Sequence, residues 1–285
     1  MHQEQAGYAN LVLDAELRKC VPPLEARDAA FAARIFYTVL EYQPLLDSLL
    51  NRFCKKPVEK MDAPVRAILR AGLAQARYME VPLPAAVNES VKLTKAMGKT
   101  SAAGMVNAVL RRAAVVSVQP EDFADPLERL QVYECLSPSV AKLLYEQYGQ
   151  EAFALAEAFR ASSVSAIRVN TLQTSDEALT EELRAAGHTV QEGPWPHALL
   201  VAFQGSPATG AAFTRGDYHV QGLASQFAAL CVQAKPGQKV LDLCAAPGGK
   251  SLTLAQQMEN TGALISGEAV PARVTLIEKA FARCG

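Results

Sequence analysis

Apolar positions along the first part of the chain recur every three to four places. Phe31, Ile35, Val39 and Tyr42 do so between Ala26 and Tyr42, and Val65, Ile68, Leu69, Leu73 and Ala76 repeat the pattern, which is the spacing of one face of an α-helix. Asp62 followed by Pro64 reads as an N-cap with proline in the first turn. Pro82 and Pro84 break the chain, and Ala85 to Met97 resumes helical spacing. Gly98 with Thr100 and Ser101 then gives a stop and a fresh cap before a last helix from Ser101 to about Val116. About six helices without a strand pattern predict an independent all-α domain over 1–118.

The pattern changes at Gln119-Pro120-Glu121-Asp122, a polar stretch that reads as a linker. Helical spacing returns near Ser139–Tyr148 and Glu151–Phe159. Ala166 to Asn170 then alternates like a strand, Ser175 to Ala186 reads as a capped helix that Gly187 ends, and short β-type runs follow. This predicts linker helices and a small α/β unit over 119–220. Trp195, between Pro194 and Pro196, reads as loop packing rather than a platform for base stacking. Beyond it, Lys239 to Cys244 is an apolar run suited to a buried parallel strand. A glycine turn, a helix over Ser251–Met258 and a second strand at Ala263–Ser266 follow.

Composition narrows the class. Of 285 residues, 50% are apolar and 20% charged, the profile of a globular protein rather than a disordered or collagen-like one. No apolar run is long enough to cross a membrane, and Met1 to Gly7 lacks the basic lead and apolar core of a secretory signal. A cytoplasmic address without membrane contact is expected. Six scattered cysteines with no C-x-x-C pair fit neither a disulfide framework nor a zinc site, so no metal is expected, and most of them read as small buried hydrophobes. The net charge of −1 resolves into +5 over 1–118, −8 over 119–220 and +2 over 221–285. A basic front segment suits a polyanion partner. Lys92, Lys95 and Lys99 at helical spacing, with Arg111 and Arg112 on the next helix, are candidate phosphate contacts; a solvated helix surface accounts for the same charges.

The chemistry lies in the last 65 residues. A strand, the turn Ala245-Ala246-Pro247-Gly248-Gly249-Lys250 and a helix make a nucleotide-type corner, in which helix-start N–H groups favour an electron-rich ligand and adjacent glycines admit its close approach. The second strand delivers Glu268, where a carboxylate can accept hydrogen bonds from ribose hydroxyls. A P-loop would need glycine where Cys244 stands, although Gly249-Lys250-Ser251 matches its end, and the G-x-G-x-x-G fingerprint is absent. S-adenosylmethionine, with ribose and adenine but no phosphate, fits better than ATP or a dinucleotide.

Asp242-Leu-Cys-Ala-Ala-Pro-Gly-Gly-Lys250 resembles the cofactor-binding motif of the RNA 5-methylcytosine methyltransferases of the Nop2/Sun family. Tyr218 to Gln226 is similar to the segment that leads into that family's catalytic domain, and Ile167 to Thr171 to the start of its small RNA-recognition-like domain. Ala86 to Val91 and Val106 to Arg112 resemble the helical RNA-binding domain of the antitermination factor NusB. This arrangement is that of the bacterial Sun-type enzymes acting on 16S ribosomal RNA. The resemblance implies a multidomain fold. It consists of an all-α NusB-like bundle over 1–118, a small α/β (RRM-like) domain within 119–220, and the beginning of a Rossmann-like methyltransferase domain over 221–285.

It also implies roles. Cys244, Ala245, Ala246, Pro247, Gly248, Gly249 and Lys250 would wrap S-adenosyl-L-methionine, and Glu268, standing where the family usually has Asp, would hold the ribose. Small-subunit ribosomal RNA would be the partner and a cytosine C5 the methyl acceptor, with the full-length protein a monomer. The family's nucleophilic cysteine, which attacks C6 of the cytosine, and its second cysteine occur in Thr-Cys and Asp-Ala-Pro-Cys motifs. Neither motif is present. The expectation is a C-terminally truncated member with no catalytic residue of its own, inactive alone, and with a sheet edge and apolar faces left uncovered. A non-enzymatic RNA-binding protein is the alternative, and a nucleotide hydrolase using Gly249-Lys250-Ser251 is disfavoured by Cys244.

Overall fold

The computed structural model describes residues 8–161 and 164–285, so the reading of Met1 to Gly7 as lacking a signal lies outside the described residues. The chain divides into two compact units at Arg160 and Ala161.

The first unit is helical. It contains α1 (Ala9–Arg18), α2 (Ala26–Asn51), α3 (Ala63–Tyr78), α4 (Leu83–Ala96) and α5 (Ala103–Ala113), with single 3-10 turns between some of them. Among the described residues up to 118 this makes five α-helices rather than six. Leu46, Leu49 and Leu50 of α2 meet Leu69 and Leu73 of α3 and Val106 and Leu110 of α5 in one core. Each such side chain contributes about 1.5–3 kcal/mol through burial. Within this core Arg70 donates to both carboxylate oxygens of Asp47, at 2.8 and 2.6 Å, a fork geometry that offsets the cost of burying the charges.

Two helix boundaries depart from expectation. Asp62 sits at the N-cap of α3 but makes no side-chain cap bond, because its carboxylate pairs with Lys99. The last helix begins at Ala103 after a 3-10 turn over Thr100–Ala102 and stops at Ala113.

The linker helices belong to this unit. α6 (Pro126–Glu128) runs into a π-helical turn over Arg129–Tyr133, and α7 (Pro138–Tyr148) and α8 (Glu151–Ala161) follow. Val132, Tyr133 and Cys135 pack against the helical core, while Leu130, Ala141, Ala152 and Ala156 form a small cluster beside it. The change of composition at residue 119 is therefore not where the compact unit ends.

The second unit opens with a four-stranded antiparallel sheet in the order β2-β3-β1-β4. β1 (Ser165–Val169) leads to α9 (Asp176–Ala185), whose N-cap Ser175 accepts the Ala178 N–H. β2 (Thr189–Glu192), β3 (Ala198–Ala202), α10 (Ala211–Arg215) and β4 (Tyr218–Val220) complete it. Ile167 pairs with Leu199, and Val169 with Tyr218, which places Ile167, Val169 and Tyr218 in one core with Leu179 and Leu183 of α9. Trp195 does pack in a loop: its Nε1 donates to Gln226 Oε1 at 3.1 Å, and its ring lies beside Phe227.

α11 (Leu223–Leu230), β5 (Lys239–Asp242), α12 (Gly249–Gln257), β6 (Ala263–Ser266) and α13 (Pro271–Cys284) make up the rest. β5 and β6 pair in parallel, with Val240 opposite Leu264. Side chains of the first part close the seam with the second. Asn170 Nδ2 donates to the carbonyls of Gly216 and Cys284 at 2.9 and 2.8 Å. Arg168 Nε donates to Gln256 Oε1, and Arg283 donates to the carbonyls of Phe213 and Tyr218. Gly216, at φ +85°, packs so closely on the Arg283 backbone that no side chain fits there.

Two expectations are corrected. β5 is not a buried strand: its residues alternate between half-buried and exposed, since only one face has a helix to cover it. The cysteines are not mostly buried either. Cys284 is buried, Cys20, Cys54 and Cys135 are half-buried, and Cys231 and Cys244 are exposed.

Candidate cofactor site

The site forms where β5 and β6 end. Pairing continues past both strands, with Gly267 N–H bonded to the Asp242 carbonyl at 2.7 Å and Ala245 N–H to the Gly267 carbonyl at 3.0 Å. The turn over Cys244 to Lys250 is thereby laid alongside the segment that carries Glu268. A side-chain ladder fixes it from within. Ser266 Oγ and Ser251 Oγ are 2.9 Å apart, Ser251 donates to Asp242 Oδ2 at 2.8 Å, and Asp242 Oδ1 accepts the Cys244 N–H at 3.3 Å.

α12 starts at Gly249, with Gly248 at its N-cap and no side-chain cap bond. The N–H groups of its first turn have no carbonyl four residues back within the helix and point out of its start. They suit an electron-rich ligand. The protein atoms around the two glycines are not close enough to forbid a Cβ at Gly249. At φ +109° Gly248 adopts a conformation that favours glycine, and a Cβ there would meet Ala280 and Ile277 of α13, while one on Gly249 would meet Gln221. These are ordinary van der Waals distances, so on the protein side it is the left-handed φ of Gly248 rather than crowding that calls for glycine.

Glu268 lies next to the turn with its carboxylate folded inward. Oε1 accepts the Val270 N–H at 3.0 Å, and Oε2 is 3.5 Å from Arg273 Nη1. The other guanidinium nitrogen, Nη2, donates to the Ala246 carbonyl at 3.1 Å. Arg273 thus ties the β6 loop to the glycine turn, a role that sequence reading missed, as it missed the Asp242–Ser251–Ser266 ladder. Cys244 and Lys250 are exposed, Ala245 and Gly248 buried.

Beneath the turn, Gln221 Oε1 accepts the Thr253 hydroxyl at 2.8 Å and lies 3.0 Å from His219 Nε2. Burial holds the His219 pKa down at about 4, with the nearby Arg168 and Arg283 cations adding to the effect against hydrogen bonding to Gln221 and to the Gly249 main chain. The ring is therefore neutral at neutral pH.

The candidate phosphate contacts are in the first unit and do not form one face of a helix. Lys92 and Lys95 are exposed on α4, and Lys92 pairs with Glu89. Lys99 lies beyond the end of α4, because Gly98 turns the chain at φ +71°. Arg111 donates to Asn107 on its own helix, while Arg112 lies over the Phe53 ring.

A parallel strand, a glycine turn and a helix, followed by a second strand that leads to a carboxylate, have the geometry of a Rossmann-like corner. Three sequence profiles match the chain in order: the NusB family over 2–115, the ferredoxin-like domain of the RsmF/B-like methyltransferases over 140–206, and 16S rRNA methyltransferase RsmB/F over 229–285. By these matches the chain is similar to the RsmB/F methyltransferases, with a NusB-type domain in front.

Among its relatives, the Bacillus subtilis (strain 168) protein named "Probable ribosomal RNA small subunit methyltransferase B" is 30% identical over 100% of this chain and 64% of its own length. The ribosomal RNA small subunit methyltransferase B of Xylella fastidiosa (strain Temecula1) is 31% identical over 86% of this chain and 55% of its own. That of Pseudomonas putida is 29% identical over 95% and 61%. The chain thus spans between 55% and 64% of the length of these relatives.

Of solved structures, that of PH0851 shares the fold, with a TM-score of 0.71 at 24% identity over 92% of this chain and 59% of that one. A methyltransferase homologue from Pyrococcus horikoshii is 26% identical with a TM-score of 0.50, over 57% of this chain and 54% of that one.

Proposed function

We propose that the chain supplies the RNA-docking and cofactor-holding parts of a methyltransferase that transfers a methyl group from S-adenosyl-L-methionine to C5 of a cytosine in small-subunit ribosomal RNA. The observation that carries the reading is the turn over Cys244 to Lys250, laid beside Glu268 and held there by Arg273 and the Asp242–Ser251–Ser266 ladder. In this reading the main chain of Cys244, Ala245, Ala246, Pro247, Gly248, Gly249 and Lys250 receives the cofactor. Glu268, whose carboxylate is folded inward against the Val270 N–H and Arg273, would turn one oxygen outward to accept from the ribose hydroxyls, with Arg273 orienting it. S-adenosylmethionine supplies the methyl group; none of the chain's own side chains is assigned a bond-making step.

The division at 118 and 220 then separates an RNA-binding helical part, an RNA-recognition-like part and the cofactor part. The setting is the bacterial cytoplasm, and the full-length protein acts as a monomer. Lys92, Lys95, Lys99, Arg111 and Arg112 remain the candidate RNA contacts from sequence.

Titration calorimetry with S-adenosylhomocysteine tests the cofactor assignment. The expected result is saturable binding that Gly249→Val abolishes and that ATP does not displace. Binding of ATP in its place would return the site to the nucleotide hydrolases.

A further inference from the structure

The first unit holds a groove of about 470 Å³ between the turn that follows α2, the start of α3 and one side of α5. Its floor is apolar, formed by Met61, Val65, Met105 and Val109, and Phe53 makes one wall. Its rim is cationic. Lys55 and Lys56 line it and are exposed. Arg112 sets its guanidinium carbon 4.4 Å from the centre of the Phe53 ring, and Lys99 reaches the edge through its ion pair with Asp62. Two cations, Lys55 and Lys56, line the groove, and two more, Arg112 and Lys99, touch residues that line it, against one lining carboxylate, Asp62, which Lys99 already engages.

We propose that this groove is where the helical unit holds single-stranded RNA, with a base on the apolar floor and the flanking phosphates against Lys55, Lys56 and Arg112. The inference rests on the reading that ribosomal RNA is the substrate, and it names the surface. Single-stranded nucleic acid is bound where a basic rim follows the backbone and an apolar or aromatic floor takes the face of a base. An arginine already stacked on an aromatic ring presents a flat cation that can stack further and still donate to phosphate. An apolar helix of a protein partner would use the floor but leave the cations unmatched. Of the contacts read from sequence, none lines this groove, but Lys99 and Arg112 touch the lining residues Asp62 and Phe53.

The test is fluorescence anisotropy of a short labelled single-stranded RNA with the intact chain over a salt series. K55E/K56E removes rim charge. A108E puts a carboxylate at an exposed position of α5 that lines the groove, and R18E/K19E, a double charge reversal of exposed residues on and just after α1, serves as comparison. K55E/K56E should weaken binding about tenfold or more and reduce the slope of log affinity against log salt by about 1.4, the value for two phosphate contacts on a single strand. A108E should weaken it comparably. The comparison variant should lose less than about threefold, as remote charges screened by salt do. Circular dichroism melts that match the parent keep the comparison fair. If K55E/K56E and A108E bind like the parent, the groove is not the RNA site, and an apolar helix of a protein becomes its occupant. If the parent itself binds no RNA at low salt, the groove inference and the RNA reading fall together, while the cofactor assignment stands on its own titration.

Discussion

Acid should destabilise the second unit through a single side chain, His219. It is 3% exposed on β4. Its Nε2 faces Gln221 Oε1, an acceptor that also takes the Thr253 hydroxyl, so the imidazole proton resides on Nε2. A second proton would have to go on Nδ1, which is buried with no hydrogen-bond partner in the structure. Burial, reinforced by Arg168 and Arg283, lowers the pKa from 6.5 to about 4.

The sign follows from linkage. As pH falls through 6.5 the unfolded chain takes up a proton that the folded chain refuses until about pH 4, so stability is full above 6.5 and is lost across that interval. The whole difference corresponds to about 3 kcal/mol, of which about 2 kcal/mol is lost between about pH 7.5 and about pH 5. Trp195 is the single tryptophan and lies in this unit, which makes its fluorescence a local reporter of urea unfolding. The parent should lose about 2 kcal/mol more over that interval than His219→Gln, whose side chain takes up no proton. The buried carboxylates of Asp47 and Glu134 belong to the first unit and cancel in the comparison. Equal pH dependence in the two proteins would refute the assignment.

Arg273→Ala should weaken S-adenosylhomocysteine binding about tenfold, the size of one lost charge-assisted hydrogen bond, with Trp195-monitored stability little changed; calorimetry reads it. Asp47→Ala removes the acceptor of a buried guanidinium and should lower the stability of the helical unit by about 3 kcal/mol, seen as an earlier helical transition by circular dichroism. Gly216→Ala should destabilise the second unit by about 2 kcal/mol or more, since it combines a left-handed φ with collision against the Arg283 backbone; urea unfolding followed at Trp195 measures it.

Much of the fold is legible in the sequence because its signals are local. Helical periodicity locates α3 and α4 to within two residues, and the Ser175 cap and Gly187 bracket α9. The run at Ala263–Ser266 is β6 itself. What is not legible depends on distant neighbours. Lys99 looks like the next position of the α4 face until Gly98 adopts a left-handed φ. The glycines of the turn look like room for a ligand, and nothing in the local sequence announces that Gly248 adopts a φ of +109° with α13 at contact distance. Arg273 stands five residues after Glu268 and meets a carbonyl 27 residues earlier, a geometry no periodic pattern announces. Exposure of β5 and of Cys244 depends on which faces are covered, which local sequence does not encode.

The seam of the second unit also sets an order of events in folding. Asn170, in the turn just after the first strand, is satisfied in part by the carbonyl of Cys284, 114 residues further on, and Arg168 by Gln256, 88 residues on. Closing loops of that length precedes the stabilisation they bring. During synthesis the small sheet must therefore wait, with its buried polar side chains still hydrated, until α13 has left the ribosome. The part that reads most like a separate module is satisfied only once a helix far along the chain has been made.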